Sequence, residues 1–593
     1  MKKVLLIILS MWYLLSANTT FAFAHADTLR GSNGRGRDWW DVKKYWLQVS
    51  FDTARQSIKG FSDIEFSVVK TARDSMQIDL QDPMVVDSVI LIEEYTDSTN
   101  RDRIDALLSK RPARPGLKVD PIYTTYIHRD RTLLSVKKEN NVWWVISDFS
   151  KLNKKDPDSL RSRSLMVYFH GSPRKAVNPP WDGGFSWKHD STGKPWIAVS
   201  CQGLGASVWW PCKDAQWDEP DNGMDICLDV PRGLAAISNG RFVDTSKADI
   251  PGYLSWTWKV KNPINNYDVS FYIGDYVHWH DTLEGENTED GELNLDFWVL
   301  RYNEDRARKQ FAVVPQMIHC FEYWMGPYPF YEDGYKLVEA PYLGMEHQSA
   351  VAYGNKYKMG YMGFDRTGTD IGMKFDYIII HESGHEWFGN SVTAKDMADN
   401  WIHEGITTYS ESLFAECLLG KEKGQAYCRG EWRNIDNDKP MIGPYGVNEE
   451  GSNDIYDKGA AIMHMIRVLA NGDDEKFRQI LRGLSKNFYH QTVTTQQVEA
   501  YIATRTGLDL TAFFNQYLRQ ANIPKLEYKI KHKKLTYKFT GVVSGFTLPI
   551  PITDGNTTIT INPTDKSQTV KWKGKNVEFS KDFLMNIKKK AIN

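Results

Sequence analysis

The sequence predicts a multidomain α+β protein with an N-terminal β-domain, a mainly helical central domain and a small C-terminal β-sandwich. Length is the first reason, because 593 residues exceed what one hydrophobic core normally supports. Composition is the second, because 41% hydrophobic and 25% charged residues are typical of a folded globular chain. The third is a change of pattern: strand-like alternation dominates residues 45–271, helical periodicity continues to about residue 520, and alternation returns at Leu526.

These changes divide the chain into four segments: a signal peptide over residues 1–24, a β-domain over 25–276, a mainly helical domain over 277–523 and a small β-domain over 524–593. YWLQVSFD and NVWWVISDF are typical of strands, because they alternate or are rich in β-branched and aromatic residues. KGAAIMHMIRVLA has helical periodicity. LEYKIKHKKLTYKFTG alternates again, and we expect the run NIKKK near the end to be a solvated tail.

The first 24 residues have the pattern of a secretory signal peptide. Lys2 and Lys3 precede a short apolar run, and Ala22-Phe23-Ala24 supplies small residues at the spacing that a signal peptidase needs. The apolar run is too short and wrongly flanked for a typical membrane span, and a retained anchor is the alternative interpretation. We expect the mature protein to be exported, either periplasmic or secreted, with no stable membrane span.

Charge and cysteine content narrow the class of protein. The formal net charge of −2 argues against a nucleic-acid binder that works through bulk positive charge. Six cysteines fit an oxidising compartment without requiring one. Cys201 could pair with Cys212, or Cys417 with Cys428; the alternative is that all six are buried free thiols.

The segment HESGH, residues 381–385, follows the apolar run YIII and predicts a metal site. On a helix, His381 and His385 lie one turn apart on the same face, so both rings can bind one ion. Glu382 projects beside them, where it can contact a water on the metal. A pair of core or surface histidines is the alternative. Gly384 costs the helix about 1 kcal/mol relative to Ala, and we expect another element to pack closely against it.

A third ligand would distinguish a catalytic metal site from a chance pair of histidines. NWIHEGITTYSESL begins a second helical pattern that carries Glu404. A turn followed by a returning helix would bring this carboxylate opposite the histidines, and two His and one Glu leave the fourth position of zinc open for water. Glu411 lies seven positions after Glu404, on the same helix face. It is a candidate to orient one of the ligands, and a solvated helix glutamate is the alternative.

HESGH followed by Glu404 after 18 intervening residues resembles the gluzincin aminopeptidases, the group that contains aminopeptidase N and leukotriene hydrolase. This group has a GxMEN segment before its zinc helix, and the chain has Gly344, Met345 and Glu346 in LGMEHQ. The resemblance implies that Glu346 binds the free α-amino group of the substrate, whereas a loop carboxylate is the alternative. His347 departs from the pattern, which usually has Asn at this position.

Two further segments extend the resemblance. NDIYDKGAAIMHMI is similar to the family's YEKGA helix, whose tyrosine donates a hydrogen bond to the developing oxyanion, and this role falls on Tyr456. CQGLGASVWWPCKDAQWDEPD is similar to the family's Gln-containing loop, so Gln202 is expected to reach from the β-domain into the amino-terminal subsite. The alternatives are an ordinary aromatic residue at a helix start and a surface glutamine.

The similarity covers about residues 40–525 and implies a saddle-like N-terminal β-domain and a thermolysin-like zinc catalytic domain. It implies a three-domain form that lacks the large helical C-terminal domain of many relatives. The basic residues that hold a peptide's C-terminus in leukotriene hydrolase are then missing. We therefore expect a more open site that is less restricted to tripeptides.

The function implied by this resemblance is that of a zinc metallo-aminopeptidase with one Zn²⁺ per chain. His381, His385 and Glu404 would bind the ion, which lowers the pKa of its water toward ~7, and Glu382 would take the proton as that water attacks the first peptide bond. The expected partners are peptides with a free N-terminus. A thermolysin-like zinc endopeptidase is one alternative, and a catalytically inactive peptide-binding protein on the same scaffold is the other.

Overall fold

The computed structural model describes five segments of the chain: residues 23–97, 126–153, 160–286, 291–470 and 472–590. Most of the predicted signal peptide therefore lies outside the described residues. Helix α1 follows it over His25–Gly31. Among the helices of the five segments, none is both long enough and apolar enough to cross a membrane.

The N-terminal region is built from β-strands. Its strands are β1 Trp40–Asp52, β2 Ser57–Val68, β3 Ser75–Asp79, β4 Val85–Asp97, β5 Tyr126–Glu139, β6 Val142–Ile146, β7 Leu160–Gly171, β8 Gly184–His189, β9 Pro195–Ser200, β10 Met224–Pro231, β11 Ala235–Ser238, β12 Arg241–Lys247, β13 Tyr253–Val260 and β14 Phe271–Gly274. One sheet has the order β12-β13-β10-β1-β2-β7-β4-β5-β6-β3, and a smaller one has the order β11-β14-β9-β8.

Period-two burial explains why these segments form sheets. In β1, Tyr45, Leu47 and Val49 are fully buried, whereas the residues between them face the other side of the sheet. The smaller sheet covers the buried face, because Phe51 of β1 contacts Phe271 of β14 with ring centroids 4.7 Å apart. The N-terminal core therefore lies between the two sheets.

The central region combines a mixed sheet with helices. Its strands are β15 Tyr276–Glu284, β16 Glu292–Leu300, β17 Tyr335–Glu339, β18 Gly344–Met345, β19 Val351–Tyr353, β20 Val392–Ala394 and β21 Gln491–Val493. Its helices are α2 Glu304–Gln310, α3 Val314–Met325, α4 Tyr377–Gly384, α5 Trp401–Leu419, α6 Lys421–Glu431, α7 Asp457–Leu469, α8 Asp474–Asn487, α9 Thr495–Thr506 and α10 Thr511–Arg519. Strands β15 to β19 form one sheet in the order β15-β16-β17-β19-β18.

The helices of this region follow from their sequence patterns. In α8, Phe477, Ile480, Leu481 and Leu484 are buried at the spacing of one helix face, and the side chain of Asp473 caps the first turn. Helix α5 differs, because its residues from Trp401 to Ala415 are all buried. A helix that is buried on every side belongs to the core of a large domain, and α5 is the central element of this region.

The C-terminal region consists of two small sheets. Its strands are β22 Lys525–Lys531, β23 Lys534–Thr540, β24 Ile550–Thr553, β25 Thr558–Ile561, β26 Gln568–Lys571, β27 Glu578–Phe579 and β28 Asn586–Lys589. Their orders are β26-β23-β22-β28 and β25-β24-β27, and Tyr528 of one sheet packs on Phe579 of the other. The expectation of a solvated tail is wrong, because β28 pairs in parallel with β22, although its side chains are exposed.

The cysteine pairing differs from both predicted pairs. Cys320 of α3 forms a disulfide with Cys417 of α5, across 97 positions of sequence. Cys201, Cys212 and Cys428 are buried free thiols, and Cys227 is a half-buried one. Short spacing in sequence was a poor guide, because α3 and α5 pack side by side although they are far apart along the chain.

The order of the elements confirms the predicted fold class: a β-rich N-terminal region, a mainly helical middle region and small C-terminal sheets. The domain boundaries at residues 276 and 523 stay predictions.

Candidate metal centre

Helix α4 places the HESGH segment inside the core. The side chain of Asp376 accepts a hydrogen bond from the Ile378 amide and so begins the helix. The apolar residues Ile378, Ile379 and Ile380 are at most 2% exposed, which anchors the helix among the other central elements. His381 and Glu382 follow within α4, and His385 is the residue that ends it.

Small residues allow helix α5 to pack closely against α4. A Cβ atom on Gly384 would lie 2.6 Å from the Ser410 hydroxyl and 3.1 Å from a methyl group of Thr407, both on α5. The expectation that another element packs against this glycine is therefore confirmed. The close approach explains why the chain accepts the helix-propensity cost of Gly384, because α5 carries Glu404 toward the two histidines.

The imidazoles of His381 and His385 and the carboxylate of Glu404 meet at one point. The two Nε2 atoms are 3.2 Å apart, and Glu404 Oε2 lies 3.6 Å from the first and 3.3 Å from the second. Ligands of a tetrahedral zinc site at about 2.0–2.1 Å from the ion are separated by about 3.3 Å, which these distances match. Glu404 Oε2 is also buried and accepts no hydrogen bond in the described structure. The donor set and its spacing fit Zn²⁺.

The outward-facing nitrogens of both histidines are already engaged. His381 Nδ1 donates to Glu411 Oε1 at 2.8 Å, and the hydroxyl of Tyr427 donates to the other oxygen of Glu411 at 2.6 Å. His385 Nδ1 donates to the carbonyl oxygen of Phe388 at 3.0 Å. Each ring therefore presents Nε2 toward the site, which is how partners of metal-ligating histidines fix the tautomer.

The buried charges in this site shift one another's pKa values. Burial disfavours protonated His381, but the neighbouring carboxylates of Glu404 and Glu411 outweigh it and raise the pKa of His381 to about 10. Burial would raise the pKa of Glu404, but the charges of His385 and His381 hold it below its ordinary value. The raised pKa of His381 reflects the negative charge of the carboxylates around it, and the lowered pKa of Glu404 means that this carboxylate stays ionised, so the site favours a bound cation.

Glu382 lies beside the ligands and faces the cavity. Gly344 of β18 permits this, because a Cβ atom there would lie 2.5 Å from Glu382 Oε1. Burial raises the pKa of the Glu382 carboxyl to about 7, and a nearby divalent cation would lower it again. Its position beside the ligands allows this carboxylate to accept a proton and return it.

Glu346 joins Glu382 from a different element. One ligand atom each of Glu346, Glu382 and His385 lie within 4.8 Å of one another. Gln202 Nε2 donates to Glu346 Oε1 at 2.6 Å, and the hydroxyl of Tyr267 donates to the same oxygen at 3.0 Å. Gln202 and Tyr267 belong to the N-terminal region, so two regions of the chain together build this corner of the cavity.

Met345 and His347 flank Glu346 but have different surroundings. Met345 lines the cavity together with Gly344. His347 is fully buried, and its Nδ1 lies 2.7 Å from the Tyr272 hydroxyl. Burial lowers the pKa of His347 to about 3, so it is neutral. His347, the residue that departs from the family's GxMEN pattern, therefore packs beneath the cavity wall.

Tyr456 reaches the site because two helices cross at a pair of glycines. A Cβ atom on Gly405 of α5 would lie 2.8 Å from the Cα of Gly459, and one on Gly459 of α7 would lie 2.5 Å from the Cα of Gly405. This contact brings the start of α7 over α5, where the Tyr456 ring lies 6.0 Å from that of His381. Burial raises the pKa of Tyr456 well above its ordinary value, so its hydroxyl stays protonated.

The structure thus brings every predicted site residue to one place. The residues that line a cavity of about 760 Å³ are Gln202, Gly344, Met345, Glu346, His381, Glu382, His385, Glu404 and Tyr456. Glu411 lies behind His381 rather than in the cavity. Their chemical roles stay predictions.

Sequence reasoning missed further residues of this cavity. Tyr377 lies one helix turn before His381 and stacks on its ring at 5.2 Å, so helical spacing could have identified it. Glu450 accepts a hydrogen bond from Asn400 at 2.6 Å, and burial raises the pKa of Glu450 to about 7. Arg366 and Arg433 also line the cavity. These last three come from loops or a short 3₁₀ turn without a recognisable motif.

Comparison with known proteins shows a family match in the central region of the chain. Residues 311–517 match the model described as "Peptidase family M1 domain". The chain contains an M1 peptidase domain. The chain is 23% identical over 369 residues to Aminopeptidase M1 from Arabidopsis thaliana, and this match covers 59% of this chain and 40% of that protein. It is also 23% identical over 347 residues to leukotriene A-4 hydrolase from Xenopus laevis, covering 55% of this chain and 53% of that protein.

The matches to these curated relatives span only about two fifths to half of the relatives' length. A solved structure of an M1 zinc metallopeptidase from Deinococcus radiodurans has the same fold, with a TM-score of 0.59 and 16% identity. That likeness covers 82% of this chain and 96% of the other. The predicted relationship to the gluzincin aminopeptidases is confirmed, and zinc is the metal of this family.

Replacing Glu411 with Gln should lower the zinc affinity about 10–100-fold, which is typical for loss of a partner behind a ligating histidine. The amide has no charge to strengthen the His381 ring as a ligand. The dissociation constant, measured by competition with a chelator, checks this without any activity assay. Glu422→Gln, on the exposed side of α6, is the control and should keep the original affinity. Equal affinities in the two variants would contradict the role of Glu411.

Proposed function

We propose that the protein is a zinc-dependent aminopeptidase that hydrolyses the first peptide bond of peptides with a free N-terminus. The observation that carries the proposal is the position of Glu346 in one cavity with His381, His385 and Glu404. A carboxylate so close to the metal ligands can pair with an ammonium group only when the scissile bond is the first one. The pairing therefore selects the end of a chain rather than its interior.

The comparisons support the substrate class. The structural neighbour from Deinococcus radiodurans is described as bound to a Tyr-Ser-Ala substrate in one structure, with a TM-score of 0.61 and 17% identity to this chain. A second structure is described as a two-domain M1 zinc metallopeptidase bound to L-tryptophan. Both ligands have a free amino group, which is the group that Glu346 is proposed to bind.

The mechanism assigns one role to each side chain. When bound by His381, His385 and Glu404, zinc would supply the positive charge that polarises a water molecule and the substrate carbonyl. Glu382 accepts a proton from the attacking water and returns it to the leaving amine, so the proton count balances. The Tyr456 hydroxyl donates a hydrogen bond to the oxygen that becomes negative in the transition state.

The substrate's amino end is held by a prearranged acceptor. Gln202 and Tyr267 both donate to Oε1 of Glu346, which keeps that carboxylate oriented before substrate binds. Burial removes water from the Glu346 carboxylate, and a bound ammonium group would offset much of this loss of solvation. Burial raises the pKa of Glu346, and a cationic ligand would lower it again by favouring the charged form.

Free and N-acetylated versions of one fluorogenic peptide distinguish this proposal from an endopeptidase. The free peptide should be hydrolysed and the acetylated peptide should not, because acetylation removes the positive charge that pairs with Glu346. Glu346→Gln should lower kcat/KM for the free peptide about 10–100-fold, the range for a charge-assisted hydrogen bond. Glu422→Gln is the control. Equal hydrolysis of both peptides would favour a thermolysin-like endopeptidase, and no hydrolysis by the zinc-loaded protein would favour an inactive binding protein.

Replacing Tyr456 with Phe should lower kcat about 10²–10³-fold and leave KM nearly unchanged. The hydroxyl is proposed to act on charge that develops only in the transition state, so ground-state binding is not affected. Steady-state kinetics with a free peptide measures both constants, and zinc content confirms that the site is intact. A large rise in KM with an unchanged kcat would assign Tyr456 to substrate binding instead.

We also propose that the protein is exported, either to a periplasm or out of the cell. The signal-peptide pattern of residues 1–24 supports this, and the Cys320–Cys417 disulfide suits an oxidising compartment. Mass spectrometry of the mature protein should find an N-terminus after Ala24 and a peptide that joins Cys320 to Cys417. An intact leader together with six free thiols would argue for a protein retained in the cytoplasm.

A further inference from the structure

The cavity that contains Glu346 also contains two arginines, and they lie on the other side of the metal ligands. Glu346 contacts Gln202 and lies beside His385. Arg366 donates to the hydroxyl of Tyr377 at 2.6 Å, and the Tyr377 ring stacks on His381. The cavity therefore has a carboxylate on its His385 side and guanidinium groups on its His381 side.

A second set of contacts confirms this placement. Arg366 donates to Asp457 at 3.2 Å, and Asn434 donates to the other oxygen of Asp457 at 3.4 Å. Asp457 follows directly after Tyr456, so this group lies next to the proposed oxyanion donor. Arg433 is the neighbour of Asn434 in the short 3₁₀ turn Trp432–Asn434 that follows α6.

The two arginines differ in whether a neighbouring carboxylate neutralises their charge. Arg366 forms an ion pair with Asp457 and lies over the rings of Tyr361 and Tyr377. Arg433 is exposed, and within the described segments its side chain forms no ion pair. Within the described segments, no carboxylate neutralises the charge of Arg433. The opposite side of the cavity carries Glu346, which is proposed to bind a cationic amino group.

Space for the Arg433 side chain is provided by a glycine. A Cβ atom on Gly368 would lie 2.1 Å from Arg433 Nη1, so any other residue there would displace the guanidinium. Gly368 also has a φ of +67°, which favours glycine independently. The loop before α4 thus leaves room for Arg433 at the cavity wall but does not neutralise the charge of its side chain.

We propose that Arg433 binds a carboxylate in the part of the substrate that follows the scissile bond, and that in a short peptide this is the C-terminal carboxylate. Glu346 would then bind one end of the peptide and Arg433 the other. A planar guanidinium suits a carboxylate because it can donate two parallel hydrogen bonds. This inference rests on the proposed aminopeptidase function and names its substrates as short, unblocked peptides.

The size of the cavity agrees with such a substrate. Its volume of about 760 Å³ lies within the range of roughly 300–1,000 Å³ that is typical of pockets for small ligands. The expectation of a site less restricted to tripeptides assumed that only a C-terminal helical domain could supply basic residues. Arg433 comes instead from the central region of the chain.

The test compares the kcat/KM of one tripeptide with a free C-terminus and the same tripeptide as its amide. The original protein should prefer the free acid about three- to tenfold, since the arginine is exposed and its charge is partly screened. Arg433→Ala should reduce this ratio to about one, and Arg433→Lys should retain part of it. Arg232→Ala, at an exposed turn after β10, is the matched control and should keep the full preference.

A third peptide separates the two sources of a carboxylate. It is an amidated tripeptide with Glu at the last position, compared with the same amide carrying Gln. If Arg433→Ala abolishes only the acid-over-amide preference, the chain end is the ligand. If it abolishes only the Glu-over-Gln preference, the carboxylate that Arg433 binds is a side chain, and the proposed recognition of the chain end is overturned.

The failure of this inference is distinguishable from failure of the proposed function. Hydrolysis of an aminoacyl anilide, which has no carboxylate after the scissile bond, tests the aminopeptidase activity alone. If that substrate is cleaved but the original protein shows neither preference, or Arg433→Ala changes neither, Arg433 has no role in specificity. Zinc content and the thermal midpoint of Arg433→Ala show that any change does not arise from misfolding.

Discussion

The burial of several ionisable groups around one point is the constraint on which the structure depends. His381, His385 and Glu404 are at most 5% exposed, and Glu346 and Glu382 lie beside them. Unpaired charges in such a place would cost several kcal/mol each. A divalent cation satisfies the three ligands, and the ammonium group of a substrate would satisfy Glu346. The buried carboxylates and histidines therefore make this cavity one that favours cations.

Close helix packing holds these groups in place against their mutual repulsion. Gly384 lets α4 approach α5, and the pair Gly405 and Gly459 lets α5 approach α7. With α5 in the middle, the histidines, the third ligand and Tyr456 come from three helices that cannot shift independently. The disulfide from Cys320 to Cys417 attaches α3 to the far end of the same helix. Helix α5 is therefore in contact with every helix that carries or adjoins a candidate site residue.

The N-terminal region contributes to the site through its loops. Gln202 reaches Glu346, and the carbonyl oxygen of the next residue, Gly203, accepts hydrogen bonds from Arg30 and Asn448 at 3.3 Å each. Arg30 belongs to α1, directly after the predicted signal peptide. The first described helix therefore supports the loop that orients the proposed amine-binding carboxylate.

The sequence by itself determined the fold class and the candidate zinc ligands on each helix, because these depend on local spacing: one helix turn between His381 and His385, two turns between Glu404 and Glu411, and period-two alternation in the strands. The motifs around them were recognised by their resemblance to a known family. Only the tertiary structure decided which residues meet across distant segments. The Cys320–Cys417 bridge, Tyr267 beside Glu346, strand β28 and the position of Arg433 all depend on such contacts. Spacing along the chain carries no information about these contacts, because they are set by how whole helices and sheets pack.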